Sequence, residues 1–385
     1  MPWGRKTVKE MREEFVRRAL NKEKSKSALC REYGISRPTG DKWIKRYQNG
    51  EPMEDQSKRP FRSPRKTNAE TEEKIVALRK AHPAIGAKKL KRMLENQGDF
   101  APAYSTINTI LHHNGLITSE ASRAATPCIR FEMAQPNDMW QADFKGHFAM
   151  KDGKRCHPLT IIDDHSRNCV CLDAKDGETY EGVRKSLIDV FVQYGLPSTL
   201  LCDNGNPWGT SQSTGYTQFE IWLMELGILT KHCSIRHPQT QGKDERYNGT
   251  LKRELLKYRQ LENLCDAQKT FDEYRKFYNH KRPHHALDLD TPSQHYAPSA
   301  RKLPGKIREW EYSNEYTVRT VKETGYLTFG GQGYFLSESL GGKHVGILEC
   351  GEGNGLFKIC YREFCIAKLD TDNRVLVAKR AHRLP

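Results

Sequence analysis

Paired cysteines are missing from this 385-residue chain. Eleven cysteines are present, but none forms a Cys-x-x-Cys pair, and Cys169-Val-Cys171 has the wrong spacing for a tetrahedral zinc pair. No apolar run approaches the ~18 residues that span a bilayer. No basic start leads into an apolar segment, since the chain opens MPWGRKTVKE. These absences exclude a zinc ribbon and a transmembrane helix. They imply free thiols, a reducing cytoplasm and no membrane partner. Negative charge is also scarce. There are 48 Asp and Glu against 63 Lys and Arg, a net charge of +15 and a pI of about 9.2. Such an excess says nothing of fold but favours an anionic partner, of which nucleic acid is the commonest.

The surplus is uneven. Residues 1–66 hold 19 Lys and Arg but 9 Asp and Glu. The periodicity there predicts three helices, VKEMREEFVRRAL, KSALCREYG and SRPTGDKWIKRYQ, with Ser36 capping the third. A helix, a Gly-containing turn and a helix follow the helix-turn-helix plan, whose second helix enters the major groove. Its first turns would present Arg37, Thr39 and Lys42, and later Lys45 and Arg46. A small three-helix bundle with a solvated basic face is the plainer alternative. The expected domain covers 1–50, followed by a basic linker over 51–68 that could track a phosphate backbone.

A second three-helix pattern, expected over 69–118, ends in PAYSTINTILHHNGL, with Ser105, Thr106 and Asn108 placed to reach bases or phosphates. Two such units in tandem suit a long or two-part site on double-stranded DNA. A connector covers 119–137. From 138 to 298 three strand-like runs precede alternating helices and strands, which describes a mixed α/β sheet with helices on its faces. Short strands separated by glycines over 305–385 suggest a small β-barrel. The expected architecture is therefore multidomain α+β, with helix-turn-helix units, a mixed core and a barrel.

Three carboxylates stand out. Asp143 lies inside a strand (WQADF), Asp203 ends another (LLCDNG) and Glu245 opens a helix (KDERYNGTLK). A carboxylate between Ala142 and Phe144 is costly to bury unpaired. If the two strands are neighbours, Asp143 and Asp203 face each other and repel unless a hard cation intervenes. Mg²⁺ (or Mn²⁺) takes such ligands, and two ions roughly 3.5–4 Å apart can serve an in-line displacement at phosphorus. Glu245, Asn248 and Lys252 are spaced i, i+3, i+7, so Asn248 and Lys252 would join Arg246 and Arg253 on the phosphate backbone. Each acid alone has a plainer reading. Asp143 would be a strand-edge residue, Asp203 a turn residue before Asn204-Gly205, and Glu245 a charge favoured by the helix dipole. Asp163 and Asp164 are expected in turn hydrogen bonds with Ser166 and Arg167, Asp244 in solvent, and Trp140 and Trp222 in the core. His237 is expected exposed in a loop.

WQADF, LCDNG and HPQTQGKDERYNGTLK, in this order, resemble the integrase core of retroviruses and of bacterial insertion-sequence transposases, the DDE group. IIDDHSR resembles the family's second strand. YNHKRPHHALDLDTPSQHY (Tyr278 to Tyr296) resembles the Tyr-Asn-x-x-Arg-Pro-His segment that follows the core in insertion-sequence transposases. The 41 residues between Asp203 and Glu245 exceed the family's usual spacing, and NPWGTSQSTG accounts for the excess as a loop. The resemblance implies an RNase H-like core with Asp143, Asp203 and Glu245 as catalytic metal ligands. It also implies nicking of transposon ends, strand transfer into target DNA, a homo-oligomer on DNA and a nucleoid-associated protein of the bacterial cytoplasm. His112 and His113 are adjacent and no paired cysteines follow, unlike the His-His-Cys-Cys zinc domain of retroviral integrases. The alternatives are a catalytically inactive, domesticated transposase acting as a DNA-binding regulator, and a nuclease acting on RNA–DNA hybrids.

Overall fold

The computed structural model describes residues 7–55, 67–117, 132–205, 207–209, 215–232, 242–351 and 355–384. The chain divides into two units, Met1–Lys66 and Thr67–Pro385.

The first unit holds α1 (Val8–Leu20), α2 (Lys26–Glu32) and α3 (Arg37–Gln48). Thr7, Ser25 and Ser36 cap them, each side chain accepting from the backbone N–H three residues on. Phe15, Val16, Leu29, Cys30, Trp43 and Met53 form the core. Met53 lies in the stretch read from sequence as linker. Arg12 bonds its carbonyl and the Asp55 carboxylate, folding residues 53–55 back on α1. Gly40 is required where α3 meets its neighbours, because a Cβ there would lie 2.8 Å from the Cys30 Sγ.

The second unit opens with α4 (Ala69–Ala81), α5 (Ala87–Asn96) and α6 (Tyr104–His113) around Ile75, Leu90, Leu94, Ile107 and Leu111. A mixed sheet follows: β1 (Met139–Phe144), β2 (Phe148–Ala149), β3 (Arg155–Asp163), β4 (Cys169–Lys175), β5 (Thr199–Cys202) and β6 (Leu229–His232). β3 pairs antiparallel with β1, β2 and β4, whereas β1–β5 and β5–β6 are parallel. Alternation along β1 puts Trp140, Ala142 and Phe144 against α7 (Tyr180–Tyr194) and α8 (Gln218–Glu225), with Trp222 in the same cluster. On the opposite face, Ile162, Cys169 and Leu172 pack against α9 (Gly242–Leu251) and α10 (Leu264–His280). Asp143 and Gln141 belong to that face.

The C-terminal part does not close into the expected barrel. β7 (Thr317–Thr320), β10 (His344–Glu349), β11 (Leu356–Tyr361), β12 (Phe364–Asp370) and β13 (Val375–Arg383) form an open antiparallel sheet, order β13-β12-β11-β10-β7. β8 (Tyr326–Phe329) and β9 (Gln332–Phe335) make a separate hairpin. Closure is not needed to bury the apolar face. Leu327 and Tyr334 from the hairpin, with Ile221 and Met224 from α8, cover Val345, Ile347, Ile359 and Ile366.

Candidate active site

Asp143 sits in the fifth position of β1, opposite Thr160 of β3. Asp203 follows the last residue of β5, the parallel neighbour of β1. The pairing thus brings the two acids to one end of adjacent strands. Asp143 is half-buried and Asp203 exposed. Burial, with repulsion from Asp203 and Glu178 added, raises the Asp143 pKa to about 6.

The helical carboxylate beside Asp143 is not the expected one. Asp244, read from sequence as solvated, is 0% exposed. It accepts from the Thr160 hydroxyl at 3.1 Å and from the Asn248 amide at 2.8 Å, and burial drives its pKa well up. Its backbone N–H donates to Gln141 Oε1 at 3.3 Å. The helical phase explains the difference: ~100° separates consecutive residues, so only one of Asp244 and Glu245 can face the sheet. Glu245 is exposed, as is Arg246. Asn248, read as a DNA contact, is instead buried, its amide shared between Asp244 and Asp143 (3.2 Å), and its Oδ1 has no hydrogen-bond partner. Lys252 is exposed where α9 passes into a π-helical turn over Lys252–Leu256. Its charge, second to burial, lowers the pKa of Lys145 beyond the end of β1. The two cations therefore lie close to each other, Lys145 two residues beyond Asp143 in the chain.

Asp163 and Asp164 are architectural. Asp163 accepts from the Ser166 N–H and hydroxyl and from the Asn137 N–H. Asp164 accepts from Gln141, the Met133 N–H and Lys243, which ties the start of α9 to the end of β3. The Tyr-Asn-x-x-Arg-Pro-His segment is a strap. The Asn279 amide accepts from Cys169 N–H and donates to Cys169 O, both at 2.8 Å, and Arg282 grips Glu254 just past α9 at 2.7 and 2.8 Å.

In the first unit Arg37, Lys42 and Lys45 are exposed on α3. Thr39 is half-buried and shares a 2.8 Å hydrogen bond with Ser36 at the helix start. Arg46 turns inward over Trp43 and bonds Glu54 O. On α6, Ser105 and Asn108 are exposed and Thr106 is half-buried. His237 and most of the basic linker lie outside the described residues.

The donors at the pair are hard carboxylate oxygens, those of Asp143 and Asp203. That set fits a divalent cation such as Mg²⁺. Among the described residues no three Asp, Glu, His or Cys side chains converge as a metal cluster, and Glu245 is exposed beside the buried Asp244. No helix among them is long and apolar enough to cross a membrane.

Comparison with known proteins matches residues 133–238 and, by a second model, 226–292 to the integrase core domain. Residues 11–61 match a helix-turn-helix domain and 39–111 a homeodomain-like domain. A 31.7 kDa protein of insertion element IS407 from Burkholderia multivorans is 25% identical over 57% of this chain and 78% of its own length. Transposase InsD of IS2 from Escherichia coli is 23% identical over 55% of this chain and 66% of its own. A protein of IS476 from Xanthomonas euvesicatoria is 27% identical over 42% of this chain and 44% of its own. The HTLV-2 integrase catalytic core, solved in complex with magnesium, aligns with 42% of this chain and 99% of its own at 20% identity and a TM-score of 0.34. The chain thus carries an integrase core domain behind helix-turn-helix domains, and the relatives it is similar to are proteins of bacterial insertion elements, among them named transposases.

Proposed function

We propose that this protein is an insertion-sequence transposase that binds the ends of its element through α3 and α6 and uses Asp143, Asp203 and Glu245 for metal-dependent nicking and strand transfer. The observation that carries the reading is the placement of Asp143 and Asp203 at one end of adjacent parallel strands, where a cation would offset the burial and the neighbouring charge that raise the Asp143 pKa. Asp143 and Asp203 would hold one divalent ion, and Glu245 would complete the set for a second. Such ions polarise the scissile phosphate and activate the attacking oxygen. Lys145 and Lys252 draw the phosphate backbone toward the carboxylates, while Asn248 fixes the Asp143 side chain. Arg37, Lys42, Lys45, Ser105 and Asn108 are the exposed candidates for DNA contact. A homo-oligomer follows from the need to process two ends together, and the bacterial nucleoid is the proposed setting.

The test is incubation of the protein with duplex DNA carrying the flanking repeats of its own locus, with and without Mg²⁺. Wild-type protein nicks the ends only with Mg²⁺, and Asp203→Asn binds them without nicking. The second reading, a regulator that binds DNA but lacks chemistry, is favoured by the exposed position of Glu245. Binding without nicking by the wild type would establish it.

A further inference from the structure

His232 is the last residue of β6 and the parallel partner of Cys202, next to Asp203. Its two ring nitrogens meet two acceptors. Nδ1 lies 2.8 Å from the carbonyl oxygen of Asp203, and Nε2 lies 3.0 Å from Glu220 Oε1. The ring and the Glu220 side chain are 12% and 13% exposed. Glu220 is itself fixed, because its other oxygen accepts from the Thr217 N–H at 2.8 Å and hydroxyl at 3.0 Å in the capping box of α8. The far side of the ring is closed by Gly209, where a Cβ would stand 2.8 Å from the imidazole Cε1. Gly209 is held by a turn onto the carbonyl of Gly205 and adjoins Trp208, whose ring packs on Phe144 and Phe219. A bare turn residue after a strand has no such restraint. Here a buried imidazole clamps the carbonyl of the residue that carries the carboxylate.

We infer that Glu220 and His232 are positioning residues that fix the backbone of Asp203, and thereby its carboxylate, for holding a divalent cation opposite Asp143. The inference rests on the proposed metal-dependent function. Neither residue touches the cation. They act as the partners behind metal ligands do, whose loss typically costs about 10- to 100-fold in metal affinity or activity.

The experiment measures Mg²⁺ affinity of the full-length protein without DNA, by calorimetry, beside the Mg²⁺ concentration for half-maximal nicking. The proteins are wild type, His232→Ala, His232→Gln, Glu220→Gln and Gly209→Ala, with Asp203→Asn as the null control. The expected result is a roughly 10-fold or greater loss of Mg²⁺ affinity in His232→Ala and Gly209→Ala, with end binding unchanged. His232→Gln, which can still donate to the Asp203 carbonyl, should recover part of that loss. A purely structural role would lower thermal stability and end binding together and leave the Mg²⁺ affinity of the folded fraction intact. That result overturns the inference, as does Mg²⁺ affinity within twofold of wild type in both His232→Ala and Glu220→Gln. If His232→Ala fails to fold, Glu220→Gln and Gly209→Ala decide the matter by the same criterion. If the wild type shows neither Mg²⁺ binding nor nicking, the proposed function falls and this inference with it. Normal wild-type binding with unaffected variants removes this inference alone.

Discussion

Arg282 should be the costliest single side chain to remove outside the carboxylates. Its guanidinium meets both oxygens of Glu254 at 2.7 and 2.8 Å, with side-chain exposures of 7% and 11%. The Tyr274 hydroxyl also donates to Glu254, and His284 Nε2 lies 3.2 Å from Arg282 Nη1. Arg282→Met leaves Glu254 as a buried charge without its paired cation, which costs about 3–5 kcal/mol. The double variant Glu254→Leu/Arg282→Met removes both charges and replaces them with apolar volume. Such exchanges are often neutral or stabilising, so most of the loss should be regained.

Hydrogen exchange along α9 and α10 is a suitable assay, because it reports local opening free energies. Arg282→Met should reduce protection there by roughly 10²- to 10⁴-fold, and the double variant should restore most of it. Glu254 lies in the turn that continues α9, so nicking should fall with the protection while end binding through α3 persists. A cost below about 1 kcal/mol for the single change, or a double variant no better than the single, would refute the reasoning.

Three further outcomes follow from the packing and charge of the fold. Glu245→Gln should abolish nicking without changing thermal stability, because its side chain is exposed, whereas Asp244→Asn should raise stability by relieving a buried carboxyl and keep measurable nicking; the reverse pattern would assign the metal to Asp244. Lys89, packed near Arg282 and Arg253, has its pKa lowered to about 8, first by burial and then by the Arg282 charge. Its folded pKa lies below its unfolded value of 10.5, so the unfolded chain binds more protons between pH 8 and 10.5, and stability rises with pH across that window. Lys89→Met should flatten the rise and add about 1–2 kcal/mol at pH 7, after discounting for partial exposure; an unchanged urea profile would count against it. Arg37→Ala and Lys42→Ala should each weaken end binding and lower the salt slope by about one, and normal binding in both would remove α3 as the recognition helix.

The helices were legible because their signals are local. Ser36 caps α3 through a side chain three residues from its partner, and the 264–280 periodicity needs no distant information. Asp143 and Asp203 were legible because each sits at an end of an apolar strand. The neighbour behind Asp143 was not, since it depends on the rotation of α9 about its axis. One position of phase moves Asp244 from solvent to the sheet and turns Asn248 from a phosphate contact into a buried amide. Closure of the C-terminal sheet was equally illegible. Strand spacing reports hairpins, but whether β13 meets β7 depends on long-range pairing and on Ile221 and Met224, contributed from about a hundred residues upstream. Arg46 shows the same limit on a smaller scale: its sequence neighbours are basic, while its partners are Trp43 and the chain at Glu54.

The proposed site would therefore be built less by its three acids than by what holds each one. Asp143 is fixed from β3 and α9, through the Thr160 register and the Asn248 amide. Asp203 is fixed from α8, through Glu220 and His232. α8 is in turn braced by the C-terminal sheet: Lys343 and the Tyr361 hydroxyl bond Glu225 at 2.7 and 2.9 Å, and Arg362 bonds its carbonyl. The helix bearing Glu245 is tied at its start by Lys243 to Asp164 and just beyond its end by Glu254 to Arg282. Each acid thus depends on a different strap, and the straps come from segments within and after the core. Such an arrangement explains why a Tyr-Asn-x-x-Arg-Pro-His segment whose Asn279 and Arg282 bond within the fold accompanies the carboxylates in the sequence. Its residues keep β4 and α9 in one register, and two carboxylates that repel can be kept within reach of one cation only by a frame stiff enough to resist them.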